Sequence, residues 1–249
     1  MKYHYLTVLT IFSIILIMSN LSYASEADKV LKLVDQNLTK VADQTYVADV
    51  TVIRDGKIIK SMKFKAMLKG LTMKKIIFTA PGDVKGMAIL TTKEGLMYVY
   101  MPSYKRVRRV ASHVRNQGFM GTDFSAEELS AASLSKGWNA KLKSQDSSNW
   151  YLTLTPKSET ETVYSKMEVT VSKKHKGVEK IESFNSQGKL IKTQTRSKWQ
   201  TFGPIEIPTL FVMKDHRTGS KTKMYFSGCT VNQNIPDSAF TKRSLMRGE

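Results

Sequence analysis

Cysteine is all but absent, with Cys229 the only one in 249 residues. A single thiol excludes an internal disulfide. It also lies far from the N-terminal apolar run, where an exported lipoprotein would carry its acylated cysteine. The fold must therefore be held by its core, and residues 25–249 are long enough to build one, including an all-β one. Histidine is scarce too. His113, His175 and His216 stand apart in basic or polar segments, so no Cys/His cluster has metal-ligand spacing. No glycine-rich phosphate loop precedes a helix, and no Gly-x-Ser-x-Gly elbow occurs. Glu127-Glu128 could pass for paired catalytic carboxylates, but Glu128 has a capping role that explains it better, as shown below. Nothing in the chain supports an enzyme, and no cofactor or metal is expected.

Acidic residues are also in deficit: 21 Asp and Glu against 39 Lys and Arg, a net charge of +18. Nucleic acid is the first partner such a charge suggests. The N-terminus argues against it. Lys2, the apolar run from Leu6 to Met18 and the small residues of Ser22-Tyr23-Ala24 read as a secretory signal cleaved after Ala24. The run is shorter than the roughly 20 residues of a spanning helix. Export leaves anionic head groups, a membrane surface or simple solubility as the meaning of the charge. Many basic residues alternate with apolar ones, the pattern of solvated strand faces.

Ala27, Val30, Leu31, Val34, Leu38 and Val41 recur at helical spacing, which predicts an amphipathic helix over Glu26 to Val41. From Tyr46 the period changes to two. Strands are expected at Tyr46–Val52, Ile58–Leu68, Thr72–Thr79, Val84–Thr91 and Leu96–Met101, joined by turns at Asp55-Gly56, Lys69-Gly70, Pro81-Gly82-Asp83 and Glu94-Gly95. Connections this short leave no room for helical crossovers, so the sheet is antiparallel. Strands resume at Trp138 and follow one another to Asn234.

The middle breaks the rhythm. Ser125-x-x-Glu128 is a capping box, with Phe124 and Leu129 as its hydrophobic staple, and predicts a short helix from Ala126 to Ser135. Together these features predict a mainly β domain over residues 25–249: one highly curved antiparallel sheet, an open half-barrel of about eleven strands, with an N-terminal helix and a helical lid.

The strands offer a set of apolar side chains to line that sheet: Tyr46, Val50, Val52, Met62, Phe64, Leu68, Phe78, Met87, Tyr98, Tyr100, Met167, Val169, Val171, Met224 and Phe226. Eleven of the 13 methionines lie beyond residue 24. Unbranched and polarizable, methionine adapts to guests of varied shape. Each methylene a guest buries contributes roughly 0.8 kcal/mol. Pattern alone leaves a cavity and a filled core equally open. Lys105, Arg106, Arg108 and Arg109 form a basic run that fits either a charged strand edge or a site for anionic head groups or an acidic partner.

Four segments in order carry a resemblance. They are Pro81-Gly82-Asp83-Val84-Lys85-Gly86, Tyr100-Met101-Pro102-Ser103-Tyr104 with the basic run after it, Gly118-Phe119-Met120-Gly121-Thr122-Asp123-Phe124-Ser125, and Ile235-Pro236-Asp237-Ser238-Ala239-Phe240. From about Asp28 to Leu245 the chain resembles the bacterial outer-membrane lipoprotein-sorting proteins, the LolA-like family. The Phe-Met-Gly-x-Asp-Phe motif marks its less studied branch. The resemblance implies a periplasmic, monomeric, non-catalytic carrier that takes lipid or lipoprotein acyl chains into an apolar cavity. It implies a lid containing Phe119, Met120, Phe124 and Leu129, and a membrane-protein donor or acceptor, transporters of the resistance-nodulation-division type among them. It also implies an arginine that locks the lid, for which Arg54, at the end of the first strand, is a candidate. A sensor or adaptor of the same shape, signalling to a protein partner, is the alternative.

Overall fold

The computed structural model of the protein describes residues 25–93, 96–111, 117–130 and 133–247. The expected signal at 1–24, the turn at Glu94-Gly95 and His113 lie outside these described residues. Helix α1 spans Glu26–Leu38. Six strands follow: β1 (Asp43–Arg54), β2 (Lys57–Lys69), β3 (Met73–Ala80), β4 (Ala88–Thr91), β5 (Met97–Met101) and β6 (Arg106–Arg109). A 3-10 turn at Phe119–Gly121 and helix α2 (Ala126–Ser130) lead to seven more: β7 (Trp138–Gln145), β8 (Asn149–Pro156), β9 (Lys166–Ser172), β10 (Gly177–Phe184), β11 (Leu190–Phe202), β12 (Ile205–Asp215) and β13 (Lys221–Val231). The described chain closes with a 3-10 turn at Asp237–Phe240 and helix α3 (Lys242–Arg247).

Local chemistry sets these boundaries. Ser25 caps α1 reciprocally: its hydroxyl accepts from the Asp28 amide at 3.1 Å, and the Asp28 carboxylate accepts from the Ser25 amide at 3.2 Å. The helix stops at Leu38, three residues earlier than its periodicity predicts. Thr39 closes it by donating its amide to the Asp35 carbonyl, and Val41 turns away to pack with Ile205 and Ile207. At the β1–β2 turn, Asp55 and Gly56 take φ of 49° and 75°, the double left-handed geometry that matches the twist of the flanking strands.

The sheet order is β6-β5-β4-β3-β2-β1-β13-β12-β11-β10-β9-β8-β7, antiparallel throughout and not closed into a barrel. It holds two more strands than the pattern suggests. β6 is easily missed because three of its four residues are arginines; it forms the edge, where charge is tolerated. Two meanders, β1–β6 and β7–β13, join where β1 pairs with β13, with Ala48 opposite Phe226 and Val50 opposite Met224. One consequence is topological. The segment between β6 and β7 starts at one edge of the sheet and ends at the other, so it must cross the open side. α2 lies on that crossing and is shorter than expected: it spans Ala126–Ser130, 131–132 lie outside the described residues, and Ser133 onward is not helical.

Three buried clusters divide the two faces. α1 lays Ala27, Val30, Leu31 and Val34 onto Leu152, Leu154, Met167, Val169, Val171 and Ile191 of the second meander. The crossing segment lays Phe124 and Ala126 onto Val50, Met62, Phe64, Ile76, Phe78, Met213 and Met224. On the other face, Ile235, Phe240 and Leu245 of the C-terminal segment cover Ala88 and Leu90, with Tyr98, Tyr100 and Val107 alongside. Asp43 pins the start of this strap by accepting from the amides of Gln233 (2.7 Å) and Ile235 (2.9 Å). Among the described residues no helix is long and apolar enough to cross a membrane.

Leu245 is fully buried although it sits on a helix of six residues. Leu245→Ala is expected to cost about 2–5 kcal/mol, read as a lower urea midpoint. A midpoint unchanged from wild type would show that the C-terminal strap contributes nothing to the core.

Candidate functional site

A two-lobed cavity runs between the sheet, α1 and the crossing segment. The larger lobe measures about 1180 Å³ with its mouth. Its wall takes Tyr46 from β1, Phe64 and Leu68 from β2, Lys74 and Ile76 from β3, Arg196 and Trp199 from β11, Phe211 from β12, and Met224 and Phe226 from β13. Val34 and Leu38 of α1 close one side; Phe124, Glu128 and Leu129 of the crossing segment close another. The exposed turn residues Gly70 and Lys176 stand at its rim. The smaller lobe, about 780 Å³, lies between α1 and β7–β12, with Trp138, Tyr164, Met167, Ile181 and Met213 in its wall. Val34, Leu38, Glu128, Val178, Gln194 and Arg196 line both lobes.

The sheet must curl tightly to build this. β3 and β11 are five strand steps apart, about 24 Å along a flat sheet at the usual spacing of roughly 4.8 Å. Yet Lys74 on β3 lines the same lobe as Arg196 on β11 and is close enough to feel its charge. Aromatic rings pave the floor. Phe226 meets Tyr46 and Phe211 edge to face, both at 4.9 Å between centroids.

Polar bonds hold the crossing segment in place. Glu128 closes the capping box, its Oε2 accepting from the Ser125 amide at 2.7 Å and its amide donating to Ser125 Oγ at 3.1 Å. The same carboxylate accepts from Lys192 Nζ of β11 at 2.9 Å and from the Tyr164 hydroxyl at 2.5 Å. Lys192 and Glu128 keep only 4% and 14% of their side-chain surface exposed, so this is a buried ion pair. Burial and the Glu128 charge push the Tyr164 phenol well above its ordinary range, which keeps it a neutral donor. Asp123 accepts from the hydroxyls of Ser220 and of Thr222 (2.6 Å), and its amide donates to Thr222 Oγ1 at 2.9 Å. Lys60 and Lys74 donate to the carbonyls of Met120 (2.9 Å) and Leu129 (2.6 Å). Beyond α2, Ser133 and Ser135 donate to Asp35 of α1. Among the described residues no group of three or more His, Cys, Asp or Glu side chains could hold a metal ion.

A family model described as "Uncharacterized protein" matches residues 70–247. The chain belongs to that family, and its fold is LolA-like. Three solved structures carry the fold. A DUF1329 family protein from Desulfovibrio piger is 22% identical, with a TM-score of 0.80 over 89% of this chain and 100% of its own. A putative outer membrane lipoprotein-sorting protein domain from Vibrio parahaemolyticus is 23% identical, with a TM-score of 0.78 over 89% and 100%. A LolA superfamily protein from Nitrosomonas europaea is 19% identical, with a TM-score of 0.74 over the same shares. No curated protein matches the sequence.

Within this LolA-like frame the proposed lining residues separate into groups. Tyr46, Phe64, Leu68, Met224 and Phe226 line the larger lobe and Met167 the smaller. Val50, Met62, Phe78 and Met87 pack under the crossing segment without lining either lobe, and Val169 and Val171 are covered by α1. Val52 is buried along β1, away from both lobes. Tyr98 and Tyr100 fall on the far face, beneath the C-terminal strap; their neighbours Met97 and Val99 point to the lid instead. β5 is apolar on both faces, so its pattern gives no clue to which side faces in.

Of the four residues expected in a lid, Phe124 and Leu129 line the cavity, while Phe119 and Met120 pack beside them, with Phe119 stacked on Phe78 at 6.2 Å. Lys105, Arg106, Arg108 and Arg109 are exposed at the β6 edge, away from the cavity. Arg54 is exposed at the end of β1 and makes no contact with the crossing segment among the bonds described above, whose carbonyls accept from Lys60 and Lys74. Arg196, Lys74, Gln194 and Trp199 were not expected at the site. Each is a polar or strand-end residue; Lys74 shares its face of β3 with Ile76 and Phe78, which pack under the crossing segment.

Two predictions follow from these ties. Lys192→Met leaves the Glu128 carboxylate buried with only hydroxyl and amide donors, and is expected to cost about 3–5 kcal/mol; a chemical-denaturation midpoint within error of wild type would contradict a buried pair. Burial, with the Arg196 charge adding to it, pushes the Lys74 amine from 10.5 down to about 8. Between these values the unfolded chain holds a proton that the folded one has released, so this group makes the protein more stable as pH rises through that window. The stability difference between wild type and Lys74→Met should therefore change in favour of wild type from pH 8 to pH 10. A pH-independent difference would place Lys74 in water.

Proposed function

We propose that the protein is a non-catalytic periplasmic carrier, exported by a signal cleaved after Ala24 and folded as one domain over residues 25–249. It takes up the acyl chains of lipid or lipoprotein in its cavity and passes them between membranes, or to and from a membrane protein. A transporter of the resistance-nodulation-division type is one such partner. The observation that carries this reading is the two-lobed, mostly apolar cavity between the sheet, α1 and the crossing segment, open at one rim. Its walls include the rings of Tyr46, Phe64, Phe211 and Phe226 and the methionines Met167, Met213 and Met224, which accommodate a flexible chain without demanding one shape. The likeness to the lipoprotein-sorting domain of Vibrio parahaemolyticus supports the same reading at the level of fold.

Handover requires a cover that opens. The crossing segment suits that task, because it is held at a few polar points rather than by a continuous strand ladder. As a monomer the carrier would meet head groups or a membrane partner through the exposed basic run at the β6 edge.

Native mass spectrometry of the exported protein purified without detergent, with organic extraction of what it holds, tests this function. A stoichiometric lipid or acylated peptide is the expected result. A mass equal to the bare chain, unchanged after incubation with membrane extract, would overturn it.

A further inference from the structure

Two cations stand inside this cavity with no carboxylate at ion-pair distance among the described residues. Arg196 lines both lobes. Its Nε donates to Gln194 Oε1 at 2.8 Å, and its guanidinium lies 4.9 Å from the centre of the Phe211 ring. Its two terminal nitrogens meet no acceptor among the described residues. Lys74, across the larger lobe, gives one of its three N–H groups to the Leu129 carbonyl. No carboxylate lies within 4.0 Å of either cation among the described residues. Three carboxylates share the lining: Glu128 is held by Lys192 and Tyr164, Glu206 has His175 Nδ1 2.8 Å away, and Glu127 lines the smaller lobe, so the acids of the cavity stand beyond ion-pair distance of both cations.

Keeping two like charges in an apolar enclosure is unfavourable unless something pairs them. Burial pushes Arg196 down to about 10 and Lys74 to about 8. At neutral pH Arg196 stays fully charged and Lys74 mostly so. An anion seated between them would relieve both, and a guanidinium with free terminal nitrogens is suited to the two oxygens of an acid group.

We propose that Lys74 and Arg196 form an anion-binding subsite within the cavity, so that the preferred occupant is an amphiphile with an acid head, a carboxylate or a phosphate, its acyl chain lying on the aromatic and methionine wall. This rests on the carrier reading and narrows it. A neutral acyl group, such as the acylated cysteine of a lipoprotein, would leave both cations unpaired. Phe211 holds the guanidinium plane and Gln194 fixes its Nε, so Arg196 is already oriented for the ligand.

The test compares 11-(dansylamino)undecanoic acid with its methyl ester, which has the same chain and no charge, by dansyl fluorescence on the exported protein at pH 7.4. The acid is expected to bind at least tenfold more tightly than the ester. Arg196→Gln should weaken the acid by about 10- to 100-fold and leave the ester unchanged, with the ester reporting that the cavity is intact. Arg196→Lys should recover part of the loss. Displacement by palmitate ahead of palmitoyl lysophosphatidylglycerol would identify a carboxylate head, and the reverse order a phosphate. Equal affinity for acid and ester, or an Arg196→Gln loss shared by both, would overturn the subsite while leaving the carrier standing. Binding of neither probe would remove the carrier reading along with it.

Discussion

The pairing of β1 with β13 governs this molecule. It welds the first and last thirds of the described sheet into its centre, so that both free edges, β6 and β7, lie at the ends of a single open sheet. Thirteen twisted strands in one layer curl, and the concave face they create is wider than the helical cover the chain supplies. α1 has 13 residues and α2 only five. The gap between the two covers is the cavity. No special device hollows it out; it is the surface that remains when a long sheet has too little helix to bury it.

The same connectivity explains the cover. A chain that finishes one meander at β6 and begins the next at β7 has to pass over the opening. Glu128, Asp123 and Asp35 tie that passage to β11, β13 and α1. Each tie is a charged group with two or more partners, strong when satisfied and costly when broken. Apolar contacts alone would hold the segment without fixing its position. Discrete polar ties give it one position.

Much of this was legible in the sequence. The period-two runs and their turns reveal an antiparallel meander, because an alternation of Lys63, Lys65 with Met62, Phe64 has one reading. Ser125 and Glu128 give away the helix of the cover, because a capping box uses fixed spacings. The illegible parts share a physical cause. Tyr98 and Tyr100 could not be assigned to a face because Met97, Val99 and Met101 between and around them are equally apolar. Val169 has the right parity but is covered by α1, and parity says nothing about what covers a face. Arg196 reads as one more polar residue in Gln194-Thr195-Arg196-Ser197. Its inward position depends on strands more than 100 residues away. The basic run from Lys105 to Arg109 drew attention by composition and proves to be an edge, whereas the two cations that matter inside the cavity were isolated in the sequence.

The most direct test of an acyl chain in this cavity uses the methionines, which sample both faces. With methyl-labelled methionine, a stearate carrying a nitroxide near its tail should broaden the methyl resonances of Met224, Met213 and Met167, which line the two lobes. It should spare Met73 beside the C-terminal strap and the exposed Met246. Broadening confined to Met246 and Met73, or absent from all five, would place the chain outside the cavity and contradict the account.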